Sequence, residues 1–192
     1  MKSRKLVLAL ALLGALGAGG CDGGPNLPPV DGSEGAARFT YSGARSGSFT
    51  AAGVPDPTST SYAYARPSSS GWMDVTTTWV RSNGSRIRLS FAFPTPTRPT
   101  TVEFDWSECP ADGFCPGGIV IFTPPPPSIT DESGEDVFSF ARGTIRITSV
   151  EGGRIRGIFS GRGNRQTAGG GTLMLSDGAF DVPIVDESFY LP

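Results

Sequence analysis

The side chains that could do chemistry are few, and the absences among them narrow the field first. The chain contains no His, so a Ser-His-Asp triad, a Cys-His pair and a His-ligated zinc are all ruled out. Its lysines, Lys2 and Lys5, lie within the first five residues. Beyond them no P-loop lysine, Schiff base or Ser-Lys dyad can form, and no Gly-x-Ser-x-Gly elbow occurs. Carboxylates, thiols and surface recognition remain. Glu103 and Asp105 fall on one side of a strand pattern, which would suit paired acid chemistry on a glycan. An outward polar row on a half-buried strand explains them more simply, and no catalytic residue is assigned. Asp131-Glu132-Ser133-Gly134-Glu135-Asp136 places four carboxylates in six residues, a supply of oxygens that calcium prefers. EF-hand spacing is absent, however, and acidic loops are usually solvated, so no metal and no other cofactor is expected. Trp72 shares the polar face of its strand with Asp74, Thr76 and Thr78. There its ring could contact a sugar or a partner protein, or it could cover a strand end beneath a loop. Cys109 and Cys115 flank a turn-prone loop, Pro110 to Phe114. With neither His nor a second cysteine pair nearby to build a metal or redox site, they are expected to form a structural disulfide outside the cytoplasm. Closing so short a loop would stabilise by about 2 kcal/mol.

The third cysteine, Cys21, has a different context. Met1-Lys2-Ser3-Arg4-Lys5 is a short basic start, and Leu6 to Leu16 is an apolar run of 11 residues interrupted only by Gly14. A helix needs roughly 20 residues to cross a hydrocarbon core, so this run is too short to span. Basic start, short apolar core and small residues together mark a secretory signal. The segment ends in Ala18-Gly19-Gly20-Cys21, which resembles the bacterial lipobox, with Ala18 where Leu is commoner. That resemblance implies cleavage before Cys21 and acylation of its thiol, and two or three acyl chains make a stable anchor. Residues 1–20 are thus expected to be a lipoprotein signal peptide and 21–36 a Gly-, Pro- and acid-rich flexible tether. A coil of that length reaches roughly 20 Å. The remaining partition, 37–192, is long enough for one domain with a proper core.

Without residues 1–20, 13 arginines face 18 acids, a net charge of −5. Such a surface has no general attraction for nucleic acid or anionic lipid. The body reads as short strands from end to end. The clearest hairpin is Val75 to Val80, turning at Asn83-Gly84 and returning through Ile87, Leu89, Phe91 and Phe93. Val102, Phe104 and Trp106 alternate with Glu103 and Asp105. Ile119 to Phe122 is stopped by Pro124 to Pro127, which cannot donate ladder hydrogen bonds. Gly143 to Val150 turns at Glu151-Gly152-Gly153 into Arg154 to Ser160, and Gly171 to Ser176 is expected to turn at Asp177-Gly178 into Phe180, Val182 and Ile184. About ten antiparallel strands without a helical period predict an all-β domain, either sandwich or barrel.

Three strings near the end of the chain resemble a set of uncharacterised bacterial envelope lipoproteins built as β-domains. They are Gly143-Thr144-Ile145-Arg146-Ile147-Thr148, Gly152-Gly153-Arg154-Ile155-Arg156-Gly157-Ile158-Phe159-Ser160 and Gly178-Ala179-Phe180-Asp181-Val182-Pro183. The resemblance covers about a quarter of the chain and brings no activity with it. It implies an all-β fold and an envelope location. The expected function is a lipid-anchored, non-catalytic binding or structural domain, whose partners are a membrane and an envelope protein or glycan. Two alternatives stand beside it: a barrel that carries a small apolar ligand inside, and a carboxylate-based glycan hydrolase.

Overall fold

The computed structural model describes residues 27, 33–56, 58–109, 114–125, 134–186 and 188–189. Cys21, Asp131 and Glu132 lie outside them. Ten strands follow in chain order: β1 (Gly35–Gly43), β2 (Gly47–Gly53), β3 (Ser61–Pro67), β4 (Trp72–Val80), β5 (Arg86–Pro94), β6 (Thr100–Asp105), β7 (Gly117–Thr123), β8 (Asp136–Glu151), β9 (Arg154–Arg165) and β10 (Thr172–Pro183). They pair antiparallel in the order β2-β1-β10-β9-β8-β7-β5-β4-β3. Strands β6 and β7 share one edge of the long β8, β7 against Asp136 to Phe140 and β6 against Arg142 to Ile147.

This sheet curls until its two ends meet, giving a nearly closed barrel. At the seam the Ala52 N–H donates to Ser61 Oγ at 2.9 Å. Lower down, Val185 N–H donates to the Ala65 carbonyl at 2.8 Å, beside a parallel bridge between Ala65 and Ile184. Gly35 lies so close to the Ala63 carbonyl that a Cβ there would overlap it. The tether expected to run through residue 36 is therefore shorter, because Gly35 and Ala36 pair with Gly53 and Ala52. A run of small residues reads as linker, yet this closure needs small residues.

Alternation decides what goes inside. In β5 the inward Ile87, Leu89, Phe91 and Phe93 are buried, and the residues between them, Arg88, Ser90 and Ala92, face out. Ten of the twelve phenylalanines are buried. Many of them lie across from a glycine on the neighbouring strand: Phe159 from Gly178, Phe180 from Gly157, Phe140 from Gly163 and Phe91 from Gly118. A Cβ at Gly157 would stand 2.6 Å from Phe180 Cζ. The ring covers the glycine backbone, and the missing side chain makes room for the ring, a pairing that suits tight barrel curvature. Rings therefore fill the interior.

Two turns behave as their sequences suggest. Gly152 and Gly153 both take positive φ, 59° and 71°, as a type I′ connection between β8 and β9 requires. Between β4 and β5 the loop is longer than two residues: Gly84 N–H bonds back to the Arg81 carbonyl at 2.9 Å and Arg81 N–H to the Ser85 carbonyl at 2.8 Å. Asp177-Gly178 does not turn the chain. Strand β10 runs through it unbroken, with a register shift between Leu175 and Gly178 and Asp177 at φ 51°. An Asp-Gly pair tolerates positive φ in a bulge as readily as in a hairpin. Trp106 also departs from expectation. Strand β6 stops at Asp105, whose side chain accepts from Ser107 N–H and caps a 3₁₀ turn over Trp106–Glu108. Trp106 is thereby turned outward and left 45% exposed.

At one end of the barrel Asp136 is buried and neutralised by the chain's own cations. Its Oδ2 accepts from Arg45 Nε at 2.6 Å and from a terminal nitrogen of Arg165 at 3.0 Å, and Thr167 Oγ1 donates to Oδ1 at 3.2 Å. The two guanidinium groups lie over the Phe122 and Phe138 rings, 4.8 and 5.3 Å from the centroids. Asp136→Asn is expected to cost about 2 kcal/mol in urea unfolding, since it strips a partly buried cation pair of its counter-charge. No change in the midpoint would show that these pairs contribute nothing.

Candidate functional site

Carboxylates and thiols are placed first by what they already hold. Asp136 is filled by arginines, and Glu135 accepts from Thr123 Oγ1 at 2.9 Å. Among the described residues no group of three or more His, Cys, Asp or Glu could hold a metal ion. Asp105 accepts from Arg142 Nε at 2.8 Å and from Ser107 Oγ at 2.7 Å, while Glu103 is exposed two residues before it on β6. Cys109 and Cys115 are joined in a disulfide, with Cα atoms 6.0 Å apart. It closes the loop between β6 and β7, out on the barrel wall.

Hydrogen bonding holds three carboxyls below their ordinary value of 3.8. Thr58 and Ser59 act on Asp56, Ser107 and then Arg142 on Asp105, and Ser188 on Asp186. A depressed folded pKa stabilises above the unfolded value and loses that stabilisation as pH falls through the folded one. With no His to titrate, the melting temperature should be level from about pH 5 to 8 and fall below about pH 4. A step near neutrality in a thermal scan series would contradict this.

The disulfide loop carries an aromatic cluster on the outer wall. Trp72 is half-buried, and its ring centroid lies 6.0 Å from that of Phe114, which is 86% exposed. Trp106 Nε1–H donates to the Pro116 carbonyl at 2.9 Å. A shallow groove of about 380 Å³ opens beside it, edged by Trp106, Asp74, Thr76, Ser90 and Ser139. Phe114 thus covers part of Trp72, and the rest of the Trp72 ring lies at the surface.

A larger groove of about 780 Å³ lies on the outer wall of β2, β1, β10, β9, β8 and β6. Register explains its floor. Thr50, Arg38, Ala179, Ile158, Arg146 and Thr101 face one another strand by strand in a single transverse row. Beside this row stand hydroxyl side chains, Ser48, Thr40, Ser160 and Thr144. The β10 bulge brings in Asp177, whose carboxylate takes a hydrogen bond from Thr40 Oγ1 at 3.2 Å. Six arginines are in ion pairs; among the described residues Arg38 and Arg146, like five arginines elsewhere, have no carboxylate partner, and these two are the ones that line the groove. Arg38 Nε is shielded from solvent and lacks a hydrogen-bond acceptor. Alternation alone would have put both arginines on the outer face. Their alignment depends on pairings between strands a hundred residues apart.

Comparison with known proteins adds nothing to this geometry, since no family model, curated protein or solved structure matches.

Proposed function

We propose that this chain is a lipid-anchored, non-catalytic binding domain of the bacterial cell envelope, related to the uncharacterised envelope lipoproteins that three strings near its end resemble. The observation that carries the binding role is the division between inside and outside. Rings fill the interior, while hydroxyls, aromatic rings and two arginines without a carboxylate partner, Arg38 and Arg146, line grooves on the outer wall. A carrier needs an open apolar cavity, which favours outer-wall binding over the carrier reading. A carboxylate hydrolase needs a general acid with a raised pKa, whereas Asp105 is held low by Ser107 and Arg142.

The anchoring role rests on the signal-like start and on Cys21. No helix among the described residues is long and apolar enough to cross a membrane. A membrane-spanning barrel carries an apolar band on its outside, and this wall instead presents Arg38, Arg88, Arg146, Arg156 and Arg162 between its buried positions. Such a wall suits water, with lipid on Cys21 as the tie to the membrane. The partner is then an envelope glycan or protein within reach of the tether.

Incubation of the full chain with envelope glycans tests the reading. Retention of intact glycan, with no new reducing ends, is expected for the native chain and for Glu103→Gln and Asp105→Asn alike. Hydrolysis that either variant abolishes, with folding intact, would make the chain a hydrolase. Uptake of a fluorescent fatty acid into a dry interior site would favour the carrier.

A further inference from the structure

We infer that the large outer groove binds an acidic oligosaccharide, with Arg38 and Arg146 taking its carboxylate or sulfate groups. The inference rests on the reading of the domain as a binding module and names what that module takes. Three features of the groove point the same way.

The first is charge. Two guanidinium groups without counter-ions face one carboxylate, Asp177, so the groove carries an unmatched positive excess on a chain that is otherwise net acidic. Arg38 is part-exposed and lines the groove, and planar guanidinium groups suit oxyanions well; its Nε, shielded and without an acceptor, gains one only if the side chain turns toward the bound group.

The second is shape. The transverse row crosses six strands, and neighbouring strands lie about 4.8 Å apart, so it spans roughly 24 Å. Arg38 and Arg146 stand three strands apart within it, roughly 14 Å along the row. An open trough of that length fits a short chain of sugars better than one small anion.

The third is the lining. Hydroxyls of Thr40, Ser48, Thr50, Thr101, Thr144 and Ser160 can both donate and accept, which matches sugar hydroxyls. The half-buried Ile158, between the arginines, offers an apolar patch to the C–H face of a sugar ring. An extended peptide would instead seek an open sheet edge for its backbone, and here the ladder on either side of the patch is already paired.

Calorimetric titration of the full chain with tetragalacturonate and with a heparin tetrasaccharide tests this, against maltotetraose and inorganic phosphate. At least one acidic oligomer is expected to bind, at least tenfold more tightly than maltotetraose, and to weaken as salt rises. Arg38→Gln and Arg146→Gln should each lower its affinity roughly tenfold, as loss of a charged hydrogen bond does. Their circular dichroism should stay native, and Arg86→Gln, on another part of the wall, should bind normally. Equal binding of maltotetraose would overturn the acidic ligand but leave a binding module standing. Phosphate binding as tightly as the oligomers would reduce the groove to a simple anion site and overturn the saccharide. The inference also fails if neither acidic oligomer binds, or if binding survives both arginine variants unchanged. Cleavage of any oligomer would strike at the module itself.

Discussion

Phe159→Ala is expected to destabilise the barrel by about 3–5 kcal/mol, the range for emptying a well-packed aromatic site. The ring lies 4.5 Å from Phe91, 6.0 Å from Phe39 and 6.3 Å from Phe180, centroid to centroid. It also covers Gly178, where a Cβ would stand 2.5 Å from the ring. Truncation therefore opens a cavity where three rings meet and uncovers a glycine at the β10 bulge. The neighbours cannot collapse into the space, because each is held by its own strand register. For a domain of this size the loss corresponds to a fall in melting temperature of roughly 10 °C. Urea unfolding of the full chain measures it, and a loss below about 1 kcal/mol would mean that the ring is not at the centre of the core.

Gly35→Ala should produce the second large effect, about 2–3 kcal/mol, through overlap rather than a cavity. One added methyl would collide with the backbone carbonyl of Ala63, and a carbonyl within a paired strand cannot rotate aside. Either β1 withdraws from β3 or the seam opens near Ala65 and Ile184. Glu34→Ala, one residue earlier and outside the strand, should change stability by no more than about 0.5 kcal/mol. The contrast locates the start of the folded body. If Gly35→Ala is silent, Gly35 belongs to the tether and the barrel is not closed there.

Much of the architecture was legible because it is local. Alternation in Arg86 to Phe93 marks a strand, Gly152-Gly153 marks the turn between β8 and β9, and two cysteines six residues apart mark a disulfide. Closure was not legible, since sandwich and barrel share the same alternation. The informative signal is the placement of inward glycines opposite phenylalanines, and it needs register to be seen. Asp177-Gly178 was misread because one dipeptide serves hairpin and bulge alike. Only the length of β9, running on to Arg165, requires β10 to continue past it. Trp106 escaped because alternation assumes that the strand continues, and Asp105 caps it one residue earlier. The candidate groove was the least legible feature. Arg38 and Arg146 read as ordinary outward arginines until β10 and β9 are set between them.

The anchor itself is tested most directly by the intact mass and N-terminal peptide of the chain purified from bacterial membranes. A lipid-anchored barrel predicts a chain that begins at Cys21 and carries a diacylglyceryl thioether, with Cys21→Ser recovered unacylated in the soluble fraction. A mature chain that begins elsewhere, or that keeps Cys21 as a free thiol in cells with working lipoprotein processing, would contradict it.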